Sequence, residues 1–285
     1  MESSIKLSSP ETHEFWETPV LYEDDYLLAI DKPAGLLTSP DPQDAGRPSL
    51  MRLLHAGIQQ RKPWSAERSL DYLMNAHRLD FEASGVLLLA KTKPVLIVLA
   101  NLFGSEKPLL TYSAIVQGVP SEDRFEVDAK LAPHPQRPGF VGVDLKRGKR
   151  SRTNFRVAER FGTYALLHCE PLTERTHQIR AHLRWVKLPI VGDETYGGKP
   201  LRLSRLKRGY RPTQGQTERP LIGRVALHAE RLAFDHPVTG ERLTITSRWP
   251  KDFAVALKYL RMYSAEALAP APDTNKSPSE HEDAD

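Results

Sequence analysis

A chain of 285 residues, 40% hydrophobic and 27% charged, is long enough to bury a substantial core. Its single cysteine, Cys169, excludes an intramolecular disulfide; no apolar run is long enough to span a bilayer, and no apolar signal segment follows the polar N-terminus. A cytoplasmic protein without membrane association is expected, and its net charge of +4 divides into −5 on residues 264–285 and +9 on residues 1–263. A basic body suits a polyanionic partner, because each phosphate contact releases counterions.

Residues 1–15 are polar, carry no sustained period and read as a flexible leader. Residues 48–60 are expected to be helical, with Pro48 in the first turn and Leu50, Leu53, Leu54 and Ile58 on one face. Residues 94–103 give a second, more apolar helix ended by Gly104. Residues 112–116, 164–169 and 243–246 read as strands by alternation and β-propensity. The segment 176–186 has helical spacing, with Ile179, Leu183 and Val186 on one face and His177, Arg180 and Arg184 on another. The acid-, proline- and serine-rich tail 264–285 is expected to be disordered, leaving residues 16–263 as one domain. No fixed repeat and no sustained βαβ alternation is present, so the expected fold class is α+β, with a mixed, largely antiparallel central sheet and flanking helices.

Three segments carry candidate chemistry. In the first, His77, Arg78, Leu79 and Asp80 stand just before the apolar run Val86-Leu87-Leu88-Leu89. An aspartate in that position is ordinarily a turn residue, but a basic pair beside it makes Asp80 the first candidate for catalysis. The second is Tyr22 through Leu28 and on to Asp31-Lys32-Pro33-Ala34-Gly35; the third is Glu174-Arg175-Thr176-His177-Gln178-Ile179-Arg180, continued by Leu188-Pro189-Ile190-Val191-Gly192-Asp193. Two basic runs flank the third: Lys146, Arg147, Lys149, Arg150 and Arg152, and then Arg205, Lys207, Arg208 and Arg211. A charge run is ordinarily a solvated surface, and two of them beside one motif point to phosphate contacts. His177 and His182 lack zinc-ligand spacing and no phosphate-binding glycine loop is present, so neither a metal nor a nucleotide cofactor is expected.

In this order the three segments resemble the RluA-type pseudouridine synthases over residues 19–250. Residues 77–85 are similar to the family's H-R-L-D-x-x-T-S-G block, with Ala83 in place of threonine; residues 32–35 match its K-P-x-G turn; residues 174–183 match G-R-T-H-Q-I-R-x-H-L, with Glu174 in place of glycine. The resemblance implies a pseudouridine synthase-like catalytic domain that isomerises uridines in structured RNA, ribosomal or transfer, without a cofactor. Asp80 is then the nucleophile, acting on sugar or base or assisting glycal formation, with Arg180 its ionic partner and Tyr112 stacked on the target uracil near the C5 proton. Arg78, aided by His77, is expected to fill the space of a flipped-out base or bind a phosphate. Ile190 is expected to line the uracil pocket, with Lys146, Arg147, Lys149 and Arg150 holding the RNA backbone. A monomer is expected. No separate RNA-binding module is expected before the first motif. Two other classes compete: an RNA-binding protein without turnover, suggested by Ala83 and Glu174, and a carboxylate glycosidase, which needs a second carboxylate near Asp80. Glu82, the adjacent candidate for that role, is expected on the opposite face.

Overall fold

A computed structural model describes residues 3–42, 44, 46–105, 109–211 and 217–267. In chain order the elements are β1 (Ser4–Ser8), β2 (Phe15–Glu23), β3 (Leu27–Lys32), α1 (Leu50–Gln59), α2 (Pro63–Ala66), β4 (Met74–Asn75), β5 (Ser84–Ala90), α3 (Lys93–Gly104) and β6 (Leu109–Gln117). There follow β7 (Arg124–Asp128), β8 (Leu131–Pro133), β9 (Val141–Val143), β10 (Arg152–Phe161), β11 (Tyr164–Pro171), α4 (Gln178–Trp185), a 3-10 turn (Glu194–Tyr196), α5 (Leu203–Leu206), β12 (Leu227–Asp235), β13 (Arg242–Thr246) and α6 (Lys251–Ala267).

Among the described residues, eleven strands form one sheet in the order β1-β2-β3-β5-β12-β6-β11-β10-β7, with β4 added to β5 and β13 to β12. Every pairing within it is antiparallel except β5 with β12, where Ser84 and Ala229 lie in parallel register with His228 and Gly85 respectively. The mixed, largely antiparallel sheet is therefore present. Its centre follows from composition: every residue of β5, Ser-Gly-Val-Leu-Leu-Leu-Ala, is buried, as a strand flanked on both edges and covered on both faces must be. Gly85 is required at the parallel crossing, because its φ is +118° and a Cβ there would lie 2.2 Å from the Ala229 carbonyl oxygen. β8 and β9 form a separate hairpin.

Helices cover the sheet by amphipathic logic. α1 is capped by Ser49, whose hydroxyl accepts from the Arg52 amide, so Pro48 lies before the cap and not in the first turn as expected. α3 is capped by Thr92 and carries Pro94 in its first turn. α6 buries Phe253, Ala256, Leu257 and Leu260, an i, i+3, i+4, i+7 stripe that brings it against the sheet.

Two expected boundaries are corrected. The leader is not flexible over its described part: β1 pairs with β2, and Ile5 and Leu7 alternate into the core. Two inward residues are too short a pattern to stand out in a sequence, and the pairing partner supplies the rest. At the other end, α6 runs to Ala267, beyond the expected boundary at 263; residues 268–285, the bulk of the expected tail, lie outside the described residues. No helix among the described residues is long and apolar enough to cross a membrane.

Candidate active site

Asp80 sits in the short connection between β4 and β5, and its backbone is pinned by the turn that follows β3. The Thr38 hydroxyl donates to the Leu79 carbonyl at 2.9 Å and accepts from the Leu79 amide at 3.1 Å. The Gly35 amide donates to the Phe81 carbonyl at 2.8 Å. That turn is closed by Lys32, fully buried, whose ammonium donates to the carbonyls of Leu36 and Pro33 at 2.6 and 2.8 Å. Burial pushes the Lys32 amine down to about 7, against the pull of the nearby Asp80 and Glu82 carboxylates. The first and second motifs thus form one structural unit, with the aspartate at its edge.

Arg180, from α4, reaches the same place. Its side chain is 1% exposed and it faces three carboxylates: Asp193 through Nε and Nη2 at 2.7 and 2.9 Å, Glu82 through Nη1 at 3.0 Å, and Asp80 through Nη1 at 3.7 Å. Burial alone would disfavour the cation, and the Asp193 hydrogen bonds with the three anions lift it above its ordinary value instead. The guanidinium also lies 5.0 Å from the centre of the Tyr196 ring, whose hydroxyl accepts from the Val141 amide at 3.1 Å and so ties the β8–β9 hairpin down.

Arg180 faces its expected partner Asp80 by charge at 3.7 Å, and its bidentate partner is Asp193. Two expectations are corrected. Glu82 shares the guanidinium with Asp80 and does not face away, because the turn closed by the Ala83 amide on the Asp80 carbonyl at 3.2 Å brings both carboxylates round to it. The polar face of α4 is also not a single surface: His177 adopts a left-handed φ of +53° before the helix begins, Arg180 is buried, and Arg184 is exposed.

Beside Asp80 opens a cleft of about 140 Å³, lined by Arg78, Asp80, Tyr112, Glu174 and Arg175 among polar groups and by Ala83, Leu110, Ile179 and Leu227 among apolar ones. It is smaller than the ~300–1,000 Å³ of a drug-sized pocket and suits one planar ring. Tyr112, on β6, presents its hydroxyl without a hydrogen bond to another described residue; burial, then the carboxylates of Glu174 and Asp80, pushes that hydroxyl well above its ordinary pKa. Glu174 stands at the mouth, open to solvent on one side, and the protein wall lifts its carboxyl to about 7 while Arg78 and Arg175 oppose the shift. Side-chain charges, a planar aromatic and apolar walls therefore meet in one cleft. A more open cleft of about 610 Å³ touches Glu82, Arg180 and Asp193 but neither Asp80 nor Tyr112.

Two expected pocket residues are elsewhere. His77 is buried, stacks on Phe103 with ring centres 5.0 Å apart, and its Nε2 accepts from the Leu88 amide at 3.1 Å, so it is a structural residue. Burial draws its imidazole down to about 4. Ile190 is fully buried and bridges Val116 in the core; the backbone bond from the Val191 amide to the Ile115 carbonyl at 2.9 Å turns it inward. Arg78, by contrast, is exposed on the cleft wall. Lys146, Arg147, Lys149 and Arg150 are exposed on the loop between β9 and β10, where Asp144 accepts from the amides of Lys146 and Arg147. Arg152 is part-buried and pairs with Glu126 at 3.0 Å. Sequence reasoning missed Asp193 and Lys32 as parts of the site and set Glu82 on the wrong face; a carboxylate directly after the apolar Ile190-Val191-Gly192 was a signal for Asp193, but no spacing links it to Arg180.

A family model described as RNA pseudouridylate synthase matches residues 26–185. Ribosomal large subunit pseudouridine synthase D of Xanthomonas campestris pv. campestris is 36% identical over 248 residues, 87% of this chain and 71% of that protein. The protein of the same description from Pseudomonas aeruginosa is 35% identical over 247 residues, 86% of this chain and 72% of its own length. Among solved structures, human RNA pseudouridylate synthase domain containing 4 superposes with a TM-score of 0.66 at 25% identity, covering 85% of this chain and 92% of that one. Taken with the fold, these likenesses show that the chain belongs to the RNA pseudouridine synthase family, of RluA type, and is an isomerase acting on uridine in RNA.

Proposed function

We propose that this enzyme converts specific uridines of ribosomal RNA to pseudouridine with Asp80 as nucleophile on a flipped-out nucleotide. The observation that carries the assignment is that Asp80 alone, among the described carboxylates, both lines the cleft beside Tyr112 and lies within ion-pair distance of the buried Arg180. An opposed guanidinium keeps such a carboxylate charged and oriented, and a charged carboxylate can act covalently on a glycosidic unit. Tyr112 and the apolar walls stack on the detached uracil, so that it turns without escaping. Extruding the base costs a few kcal/mol, which Arg78 offsets by occupying the vacated stack or a neighbouring phosphate. Lys146, Arg147, Lys149 and Arg150 hold the backbone of the RNA. Ribosomal rather than transfer RNA is supported by relatives named for the large ribosomal subunit.

Asp80→Asn tests the chemistry, because it removes the charge at nearly constant volume. Pseudouridine formation on substrate RNA is expected to vanish while RNA binding and thermal midpoint stay near those of the parent, and persistent turnover overturns the assignment. Mapping pseudouridine in ribosomal and transfer RNA from cells with and without the protein tests the substrate: a site lost from transfer RNA alone refutes the ribosomal reading.

A further inference from the structure

Exposed arginines such as Arg160, Arg242 and Arg261 pair with Asp123, Asp235 and Glu159 at 2.7, 3.0 and 2.6 Å. Arg137 and Arg184 are also exposed, but among the described residues neither guanidinium has an ion pair or a side-chain hydrogen bond. They come instead to one aromatic ring. Arg137, in the turn between β8 and β9, lies 4.6 Å from the centre of Phe140, and Arg184, in the last turn of α4, lies 5.4 Å from it. Two like charges gathered at one ring repel each other, and no described carboxylate is paired with either to relieve them.

We propose that Arg137 and Arg184, held on Phe140, form a phosphate site for the backbone of the RNA, separate from the basic loop 146–150. A guanidinium stacked on a ring keeps its donor edge free, and that edge matches two oxygens of a phosphodiester. An anion bound there also relieves the repulsion between the two cations. The place of the pair in the fold suits the strand that carries the target uridine. The first turn of α4 lines the cleft through Gln178 and Ile179, and Arg184 follows ~8 Å further along the helix axis. Trp185 beside it is 55% exposed, and a solvent-facing indole is a surface on which unpaired bases stack. The inference rests on the family's action on RNA and not on the role of Asp80.

The ring is a fixed platform rather than a mobile side chain. Phe140 is buried and stacks on Tyr196, with ring centres 4.8 Å apart and planes inclined by 21°, and it meets His134 edge to face at 5.7 Å. The turn that carries Arg137 is closed by its own backbone: the Phe140 amide donates to the Arg137 carbonyl at 3.0 Å, and the His134 amide donates to the Phe140 carbonyl at 2.8 Å. Pro135 and Pro138 stiffen the same turn by fixing φ. The Val141 amide, donating to the Tyr196 hydroxyl at 3.1 Å, fastens the hairpin to the body of the domain. Cations held in this way lose less freedom on binding an anion than free surface side chains do, so more of the interaction appears as affinity.

The test is titration of a labelled RNA stem-loop, with uridines in its loop, at several salt concentrations. Wild type is compared with the double variant Arg137→Gln, Arg184→Gln, the double variant Arg137→Lys, Arg184→Lys, and the control Arg242→Gln. Arg137 and Arg184 are exposed and unpaired, so their replacement leaves the fold intact. The glutamine variant should bind ~10-fold or more weakly at low salt, as the loss of hydrogen bonds to a charged group implies. Its plot of log K against log salt should be flatter by ~0.7–1.8 units of slope, for one or two phosphates at ~0.7–0.9 each. The lysine variant should keep most of the slope and lose part of the affinity, because an ammonium carries the charge but neither stacks on the ring nor forks. Arg242→Gln removes an exposed cation that is paired with Asp235 and should bind like wild type. Superimposable slopes for wild type and the glutamine variant overturn the proposal. A lysine variant that binds like wild type also overturns it, since undirected charge would then suffice, as does an equal loss of slope in Arg242→Gln. None of these measurements draws on Asp80, so they read the site independently of the nucleophile assignment.

Discussion

Asp193→Asn is a sharp perturbation of the site, because it changes one charge in a pair whose side chains are 1% and 0% exposed. Its carboxylate takes two hydrogen bonds from Arg180, at 2.7 and 2.9 Å, and caps the following 3-10 turn through the Tyr196 amide at 3.3 Å. Removing one partner of a buried pair costs ~3–5 kcal/mol, because the remaining charge stays out of water. Here Glu82 at 3.0 Å and Asp80 at 3.7 Å still face Arg180, so the loss should lie near the lower end, ~3 kcal/mol. At ~2–4 °C per kcal/mol for a domain of this size, the thermal midpoint should drop by ~6–12 °C. Freed from its bidentate hold, the guanidinium moves toward Glu82 and Asp80 and Asp80 is no longer held in place. Turnover should therefore fall well below that of wild type, measured at a temperature where both proteins are folded, while RNA binding changes little. Scanning calorimetry and single-turnover kinetics read the two effects. A midpoint within ~2 °C of wild type together with unchanged turnover would refute the view that Asp193 positions Arg180.

The buried imidazole of His77 has its pKa drawn from 6.5 down to about 4, so between those values the unfolded chain binds the extra proton and stability falls as pH is lowered through that window. The loss is on the order of 3 kcal/mol; His77→Leu should make the acid slope of the thermal midpoint shallower while costing ~1–3 kcal/mol at neutral pH for the unpaired Leu88 amide, and an unchanged slope would mean that His77 is not the titrating group. Neutralising Lys146, Arg147, Lys149 and Arg150 together should flatten the plot of log K against log salt for a substrate RNA by ~3 units of slope, at ~0.7–0.9 per lost phosphate contact, with little change in thermal stability because the four are exposed. Superimposable slopes would place the RNA path elsewhere, with the Arg202–Arg211 region next to be examined.

What could be read in the linear chain was what a few neighbouring residues determine. The all-apolar run from Val86 to Leu89, the helical spacing around Leu50 to Ile58 and the order of the three motifs pointed to an α+β chain with Asp80, Tyr112 and Arg180 as its chemistry, since side-chain period and motif order are local properties. β1 is marked in the linear chain only by Ile5 and Leu7, and the α6 stripe of Phe253, Ala256, Leu257 and Leu260 gains its meaning only from the sheet it covers. Tertiary structure alone decided which charges meet. Arg180 and Asp193 are thirteen residues apart and Arg180 and Glu82 ninety-eight, and no periodicity connects them. The cost of burying a guanidinium is what forces three carboxylates round it. The same holds for His77 and Ile190, whose types suit a pocket as well as a core. It was the backbone bonds from Leu88 and Val191, made only once β5 and β6 had taken their places in the sheet, that turned both side chains inward.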